Sequence, residues 1–352
     1  MAPCTAICTR RTCVQAMFHA MLGEGAPLAD FDRYFSTIDW ASLALDHAFF
    51  LSGRGLMFLD AGDATEATDL LGQASALLAM RDSTNLAGFT AALDSVAATM
   101  TGNLERARER YQAWLAASST SGRLSRPEAD RLTLHTILAL DGEQAARERF
   151  EELVAEAEHA EYWHSLMRLL HDGWRLQLVP PEHDRWGLPR LAEVAGRVQG
   201  TLAGLLRVYD AAFSEVNGQG GVDDVAGTPR TAEMLIADHL RTGRPLFAAE
   251  VAARAAELAS EVGAKGRASR LLDLCAEAVA PLGEVNTPSL GRVRVREAPL
   301  SERELEVCEL AATGMSNGAI AEQLFLSPRT VEGHLQRAYM KLGVTDRRQL
   351  IA

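Results

Sequence analysis

A chain of 352 residues is longer than one ordinary domain and has ample surface to bury. With 47% apolar and 23% charged residues and no low-complexity stretch, it is neither wholly disordered nor a disulfide-stapled miniprotein. A net charge of −12 excludes a surface coated throughout for nucleic acid or anionic lipid, but it leaves room for a local basic patch.

Several chemistries are absent. Of 35 basic residues only Lys265 and Lys341 are lysines, and neither lies in the Gly-Lys-Ser/Thr of a phosphate-binding loop. There is no H-E-x-x-H, G-x-S-x-G or C-x-x-C, nor a G-x-G-x-x-G following a strand, so the chain reads as a non-enzyme without a cofactor. Cys4, Cys8, Cys13, Cys275 and Cys308 lack paired spacing, which predicts free thiols in a reducing compartment and no metal site. Arg10 and Arg11 precede a segment interrupted by Gln15 and His19, unlike an export signal, and the apolar run 43–59 contains Asp46, His47 and Arg54. These features predict a soluble cytoplasmic protein with no membrane partner.

In chain order, residues 1–30 fit no repeat and form a poorly defined segment, which leaves a truncated or misassigned start open. From 31 to 280 alanine, leucine, glutamate and arginine recur at helical spacing, with no proline between Leu28 and Arg126. Gly62, Gly102 and Gly142 stand 40 residues apart, each between two apolar helical segments and each followed by a capping Asp, Asn or Glu. This pattern predicts an all-α fold of stacked antiparallel helical hairpins, each glycine supplying a left-handed turn. The turns resemble those of tetratricopeptide repeats, although the period is longer. Later helices are expected at about 161–178, 189–216, 230–242, 246–262 and 264–280, with a loop at 217–229. Trp163, His164, His171 and Trp174 lie where aromatic and histidine content is concentrated and form a candidate ligand pocket, with core packing as the competing account. A linker is expected over 281–299.

The last segment, 300–352, carries the chemistry. Ser301 with Glu304 is a capping box, and a helix from there should stop at Gly314. Ser316 can cap a short second helix, and Ser327 followed by Pro328 starts a third. On the third helix Val331, Leu335, Ala338 and Leu342 form an apolar stripe, while Arg329, Gly333, Gln336 and Met340 face the other way, flanked by Glu332 and Arg337. A short helix, a tight turn and a helix with outward hydrogen-bonding groups make a helix-turn-helix, whose second helix enters the major groove. From Gln323 to Ala352, Arg329, Arg337, Lys341, Arg347 and Arg348 outweigh Glu332 and Asp346, so the basic patch is local to this reader.

Leu300-Ser301-Glu302-Arg303-Glu304, Gly314-Met315-Ser316-Asn317, Ser327-Pro328-Arg329-Thr330-Val331-Glu332-Gly333-His334-Leu335 and Lys341-Leu342-Gly343-Val344 closely resemble the LuxR/GerE-type DNA-binding domain. The resemblance implies a four-helix domain with 327–342 as the recognition helix and a fourth helix from about Asp346 in dimer contact. It implies phosphate contacts by Thr330, Arg337 and Lys341, base reading by Glu332, Gly333 and Gln336, and DNA proximity for Ser316, Asn317, Ser327, Arg329 and His334. Gly318 stands where many relatives carry a basic residue, and Glu332 where many carry Lys. The order of parts resembles the large ATP-binding LuxR regulators without their nucleotide-binding domain. The function implied is a sequence-specific transcription regulator, acting as a homodimer on double-stranded promoter or operator DNA, with RNA polymerase and a small-molecule or protein effector as further partners. The rival is a helical-repeat interaction scaffold with a weak or regulatory DNA-binding appendage.

Overall fold

The computed structural model describes residues 44–82, 85–117, 126–180, 183, 185–216, 231–291, 300–342 and 347. The N-terminal segment with its three cysteines, the loop 217–229 and, apart from Arg347, the fourth helix expected from Asp346 lie outside the described residues. Among the described residues there are sixteen α-helices and no strand, as an all-α chain requires. Two compact units meet in sequence between Thr287 and Pro288. The stretch from 281, read as a linker, begins inside the first unit, where Leu282 and Val285 are buried.

Among the described residues the first unit starts with three helical hairpins. They are α1 (Ala44–Ala61) with α2 (Ala64–Met80), α3 (Ala87–Met100) with α4 (Leu104–Ala117), and α5 (Arg126–Asp141) with α6 (Glu143–His159). At the first two turns glycine has positive φ, 98° at Gly62 and 79° at Gly102. The next amide reaches back to close each helix, Asp63 N to Phe58 O at 2.9 Å and Asn103 N to Ala98 O at 2.8 Å. The same residues then cap the following helix, Asp63 Oδ1 accepting from Glu66 N at 3.0 Å and Asn103 Oδ1 from Arg106 N at 3.1 Å. Gly142 keeps the spacing but not the conformation. At φ 92° and ψ 177° it is itself the cap of α6, because α5 runs on to Asp141 and leaves no residue for a separate cap.

α3 lies at the centre, buried from Gly88 to Met100. Its one carboxylate, Asp94, is 1% exposed and is held by Arg106 of α4 at 3.0 and 3.1 Å. Hydroxyls satisfy one another across the same interior, Ser52 with Thr90 at 2.7 Å and Ser95 with Thr136 at 3.2 Å.

α7 (Trp163–Arg175) packs on α5 and α6. The helix expected over 189–216 is three: α8 (Leu188–Ala195), α9 (Thr201–Leu206) and α10 (Tyr209–Val216). Gly196 ends the first and Gly200, at φ 117°, opens the second, a conformation that a helix cannot contain. α11 (Ala232–Arg241), α12 (Pro245–Glu261) and α13 (Lys265–Val279) follow, with a 3-10 turn over Ala280–Leu282. α12 packs on α1 as well as on its sequence neighbours, and a Cβ built on Gly62 would fall 2.5 Å from that of Leu246. The late helices therefore return to the first hairpin, where an open solenoid would contact only adjacent repeats.

Inside this closure lies a chain of buried charges. Asp60 of α1 accepts from Arg168 of α7 at 2.9 Å, and Arg168 faces Glu128 of α5 at 3.6 Å. Glu128 takes two bonds from Arg131, and Arg131 also pairs with Asp172 of α7. Arg175 bonds Asp172 at 2.8 Å and Glu250 of α12 at 2.5 Å. Two cationic neighbours, Arg131 first, outweigh burial and hold the Glu128 carboxyl down to about 2. A cavity of about 30 Å³ beside them, bounded by Asp60, Arg131, His135, Asp172, Arg175 and Thr287, is of the order of one water in size. Removing one partner strands a charge, so Arg131→Leu should cost about 3–5 kcal/mol in urea unfolding.

Two buried imidazoles set an acid limit. The Tyr209 hydroxyl bridges His171 Nε2 at 3.2 Å and His239 Nε2 at 2.9 Å. Burial pushes His171 well below the usual imidazole range and His239 to about 3. Below about pH 6.5 the unfolded rings bind protons that the folded ones refuse, so stability falls as pH drops from there. Glu128 contributes in the same direction only below the ordinary glutamate range. Urea midpoints at pH 7 and pH 5 should differ by the equivalent of about 2 kcal/mol per buried ring. Equal midpoints would mean that the rings carry protons in the fold.

Candidate nucleic-acid interface

The second unit builds its interface from α14 (Glu302–Ala312), α15 (Asn317–Gln323) and α16 (Pro328–Leu342). Both halves of the capping box form, Glu304 N to Ser301 Oγ at 3.2 Å and Ser301 N to Glu304 Oε2 at 2.9 Å. Gly314, at φ 89°, closes α14, and Ser316 Oγ caps α15 by accepting from Ala319 N at 3.2 Å. The core joins Val307, Cys308 and Ala311 of α14 to Ile320 and Ala321 of α15 and to Val331, Leu335 and Ala338 of α16. Burial pushes the Cys308 thiol up, as befits a core residue.

The turn between α15 and α16 is closed the same way as a glycine turn but without glycine. Phe325 takes φ +55°, Leu326 N reaches Ala321 O at 2.8 Å and Phe325 N reaches Glu322 O at 3.4 Å. Arg303 of α14 adds a bond to Leu324 O at 3.1 Å. Ser327 Oγ then accepts from Thr330 N at 3.0 Å and lies 2.7 Å from Thr330 Oγ1. Val331 N bonds Ser327 O and Pro328 has no N–H, so Arg329 carries the one first-turn amide left without a capping or intrahelical acceptor.

Burying the apolar stripe turns the polar face of α16 outward. Ser327, Arg329, Thr330, Glu332, Gln336 and Arg337 are exposed, as is Ser316 on α15. Gly333 and His334 are half-buried, with His334 Nδ1 3.0 Å from Arg337 Nη2. Asn317 is turned toward Arg347, whose Nη1 donates to its Oδ1 at 3.0 Å. Arg347 also donates to Ala311 O and Met315 O, so its charge closes the end of α14. Lys341 meets the buried Glu304 at 2.7 Å. That lysine, with the Ser301 amide, holds the Glu304 carboxyl down to about 2.

A family model described as bacterial regulatory proteins, luxR family, matches residues 298–352. These residues form a LuxR-family helix-turn-helix domain. The chain is 46% identical over 78 residues to the "Probable transcriptional regulatory protein NarL" of Mycobacterium tuberculosis, covering 20% of this chain and 36% of that one. It is 36% identical over 67 residues to the "HTH-type transcriptional regulator MalT" of Vibrio parahaemolyticus, covering 19% and 7%. It is 40% identical over 70 residues to the "Fimbriae Z protein" of Salmonella typhimurium, covering 20% and 32%. The chain thus spans about a third or less of the length of these curated relatives. No solved structure matches the chain.

Within the LuxR-family domain, three supporting side chains escaped the motif reading: Arg303, Arg347 and the second role of Glu304. Their partners are backbone carbonyls, the Asn317 side chain and a lysine 37 residues from Glu304, which no local spacing announces. In the first unit the four suggested ligand residues separate. His171 and Trp174 are buried and stacked at 6.2 Å, whereas Trp163, eleven residues and about 16 Å up the helix axis from Trp174, lies under Arg197 at 4.4 Å. His164 is half-buried beside it. Among the described residues no group of three or more His, Cys, Asp or Glu is placed to hold a metal, and no helix is long and apolar enough to cross a membrane.

Phe325 is 96% exposed in a left-handed conformation that disfavours any Cβ. Phe325→Gly should therefore raise stability by about 0.5–1 kcal/mol in thermal unfolding. A lower melting temperature would show that the ring packs on something.

Proposed function

We propose that this protein is a DNA-binding transcription regulator whose LuxR-family domain lays α16 in the major groove, while the helical unit receives a small-molecule or protein signal and controls pairing of two domains. The observation that carries the reading is the outward face of α16, where Arg329, Thr330, Glu332, Gln336 and Arg337 stand exposed opposite the buried Val331, Leu335 and Ala338. That face offers donors for guanine or adenine edges from Gln336 and the arginines, and an acceptor for a cytosine amine from Glu332. The Arg329 amide at the start of α16 and the capping hydroxyls of Ser327 and Thr330 suit phosphate. With Gly318 offering no charge and Glu332 repelling phosphate, one domain binds weakly, and a homodimer on two half-sites restores occupancy.

The test is capture of fragmented genomic DNA by the purified full-length chain at fixed salt, with Gln336→Ala alongside. The wild type should enrich a few promoters, and Gln336→Ala should lose about 1–3 kcal/mol of discrimination at one base pair per half-site. Retention of genomic fragments without any sequence preference would overturn the reading. A side chain at Gly318 has room, since a Cβ there meets nothing closer than Ser316 Oγ at 3.8 Å. Gly318→Lys should tighten binding and steepen its logarithmic salt dependence by about 0.9 per domain.

A further inference from the structure

Two cations on the C-terminal half of α16, Arg337 and Lys341, share one carboxylate. Glu304 is 5% exposed, and its Oε2 accepts both from the Ser301 amide at 2.9 Å and from Lys341 Nζ at 2.7 Å. Its Oε1 faces Arg337 Nε at 3.4 Å. The cations differ in how much of each remains outside this contact. The Arg337 side chain is 52% exposed and the Lys341 side chain 16%.

Their chemistry widens the difference. Arg337 turns its Nε toward Glu304, its Nη2 lies 3.0 Å from His334 Nδ1, and its Nη1 remains outside both contacts, 3.8 Å from the point where a Cβ on Gly333 would stand. Lys341 has one compact charge at the end of its stem, and that charge is already against the carboxylate. Carrying it to a phosphate would leave Glu304 buried without its nearest cation, a costly exchange.

We propose that Glu304 is a positioning residue that divides these two cations, aiming Arg337 at a DNA phosphate and withdrawing Lys341 from DNA as a strut between α14 and α16. The inference rests on the DNA-binding reading above and assigns Lys341 differently from the resemblance to its family.

Two measurements on the full-length chain separate this from its parent reading. The first needs no DNA. Lys265 is exposed at the start of α13, and with Lys341 it makes up the whole lysine content, so amine acetylation followed by peptide mass spectrometry compares one site with the other. Lys341 should react at least about tenfold more slowly than Lys265, and Glu304→Gln, which preserves the capping box, should bring the two within about threefold. Equal rates in the wild type would overturn the strut.

The second measurement is the slope of logarithmic affinity against logarithmic salt for the wild type, Arg337→Gln, Lys341→Met and Glu304→Gln. Each phosphate contact contributes about 0.9. Arg337→Gln should lose about that much per domain, Lys341→Met should leave the slope unchanged, and Glu304→Gln should gain about 0.9 as Lys341 is released. A slope lowered by about 0.9 in Lys341→Met would place that lysine on DNA and overturn the proposal. An unchanged slope in Glu304→Gln would mean that the carboxylate does not hold Lys341 off DNA, and would overturn it as well. A wild type that binds no DNA would defeat the regulator reading, and the acetylation rates would still decide the strut.

Discussion

The buried charges of the first unit constrain everything around them. Asp60, Glu128, Asp172 and Glu250 with Arg131, Arg168 and Arg175 come from α1, α5, α7 and α12, segments up to 190 residues apart. An apolar core tolerates sliding and repacking, because one methyl contact resembles another. A bidentate arginine between two carboxylates does not, since each ion out of register keeps its desolvation cost without its partner. The alanine-rich α12 has little side-chain shape with which to fix its register. Here the ions supply it.

The LuxR-family domain solves the same problem at a smaller scale. Its core is short, and its helices are too brief to persist alone. Order comes from their ends: the capping box at Ser301, the left-handed closures at Gly314 and Phe325, the Ser316 and Ser327 caps, and the two arginines that satisfy carbonyls at helix ends. These bonds also fix which face of α16 is outward, so the elements that stabilise the domain are the same ones that aim its polar side chains.

This division explains what was legible in the sequence. Caps, stops and stripes are local, so the start at Ser301, the stop at Gly314 and the stripe of Val331, Leu335 and Ala338 follow from spacing alone. The turns at Gly62 and Gly102 follow for the same reason. What spacing does not encode is partnership over distance. Nothing near Glu250 announces Arg175, nothing near Glu304 announces Lys341, and the packing of α12 on α1 has no counterpart in a repeat pattern that relates only neighbours. The first break in 189–216 was in the glycines at 196 and 200, but apolar periodicity ran through them and concealed it, and the second, at Arg207 and Val208, has no glycine to mark it. Likewise, histidines and tryptophans close in sequence around 163–174 suggested a single pocket, whereas the helix carries its two ends about 16 Å apart.

The closure of α12 onto α1 also sets an order in time. Arg168 meets Asp60 across 108 residues and Arg175 meets Glu250 across 75, whereas the core of the DNA-binding domain draws its members from within forty residues of one another. During synthesis the early hairpins emerge with ionic groups whose counterparts have yet to leave the ribosome. A nascent chain halted before residue 250 has no carboxylate from α12 to set against Arg175, so the helical unit completes its assembly only after most of its length has been translated.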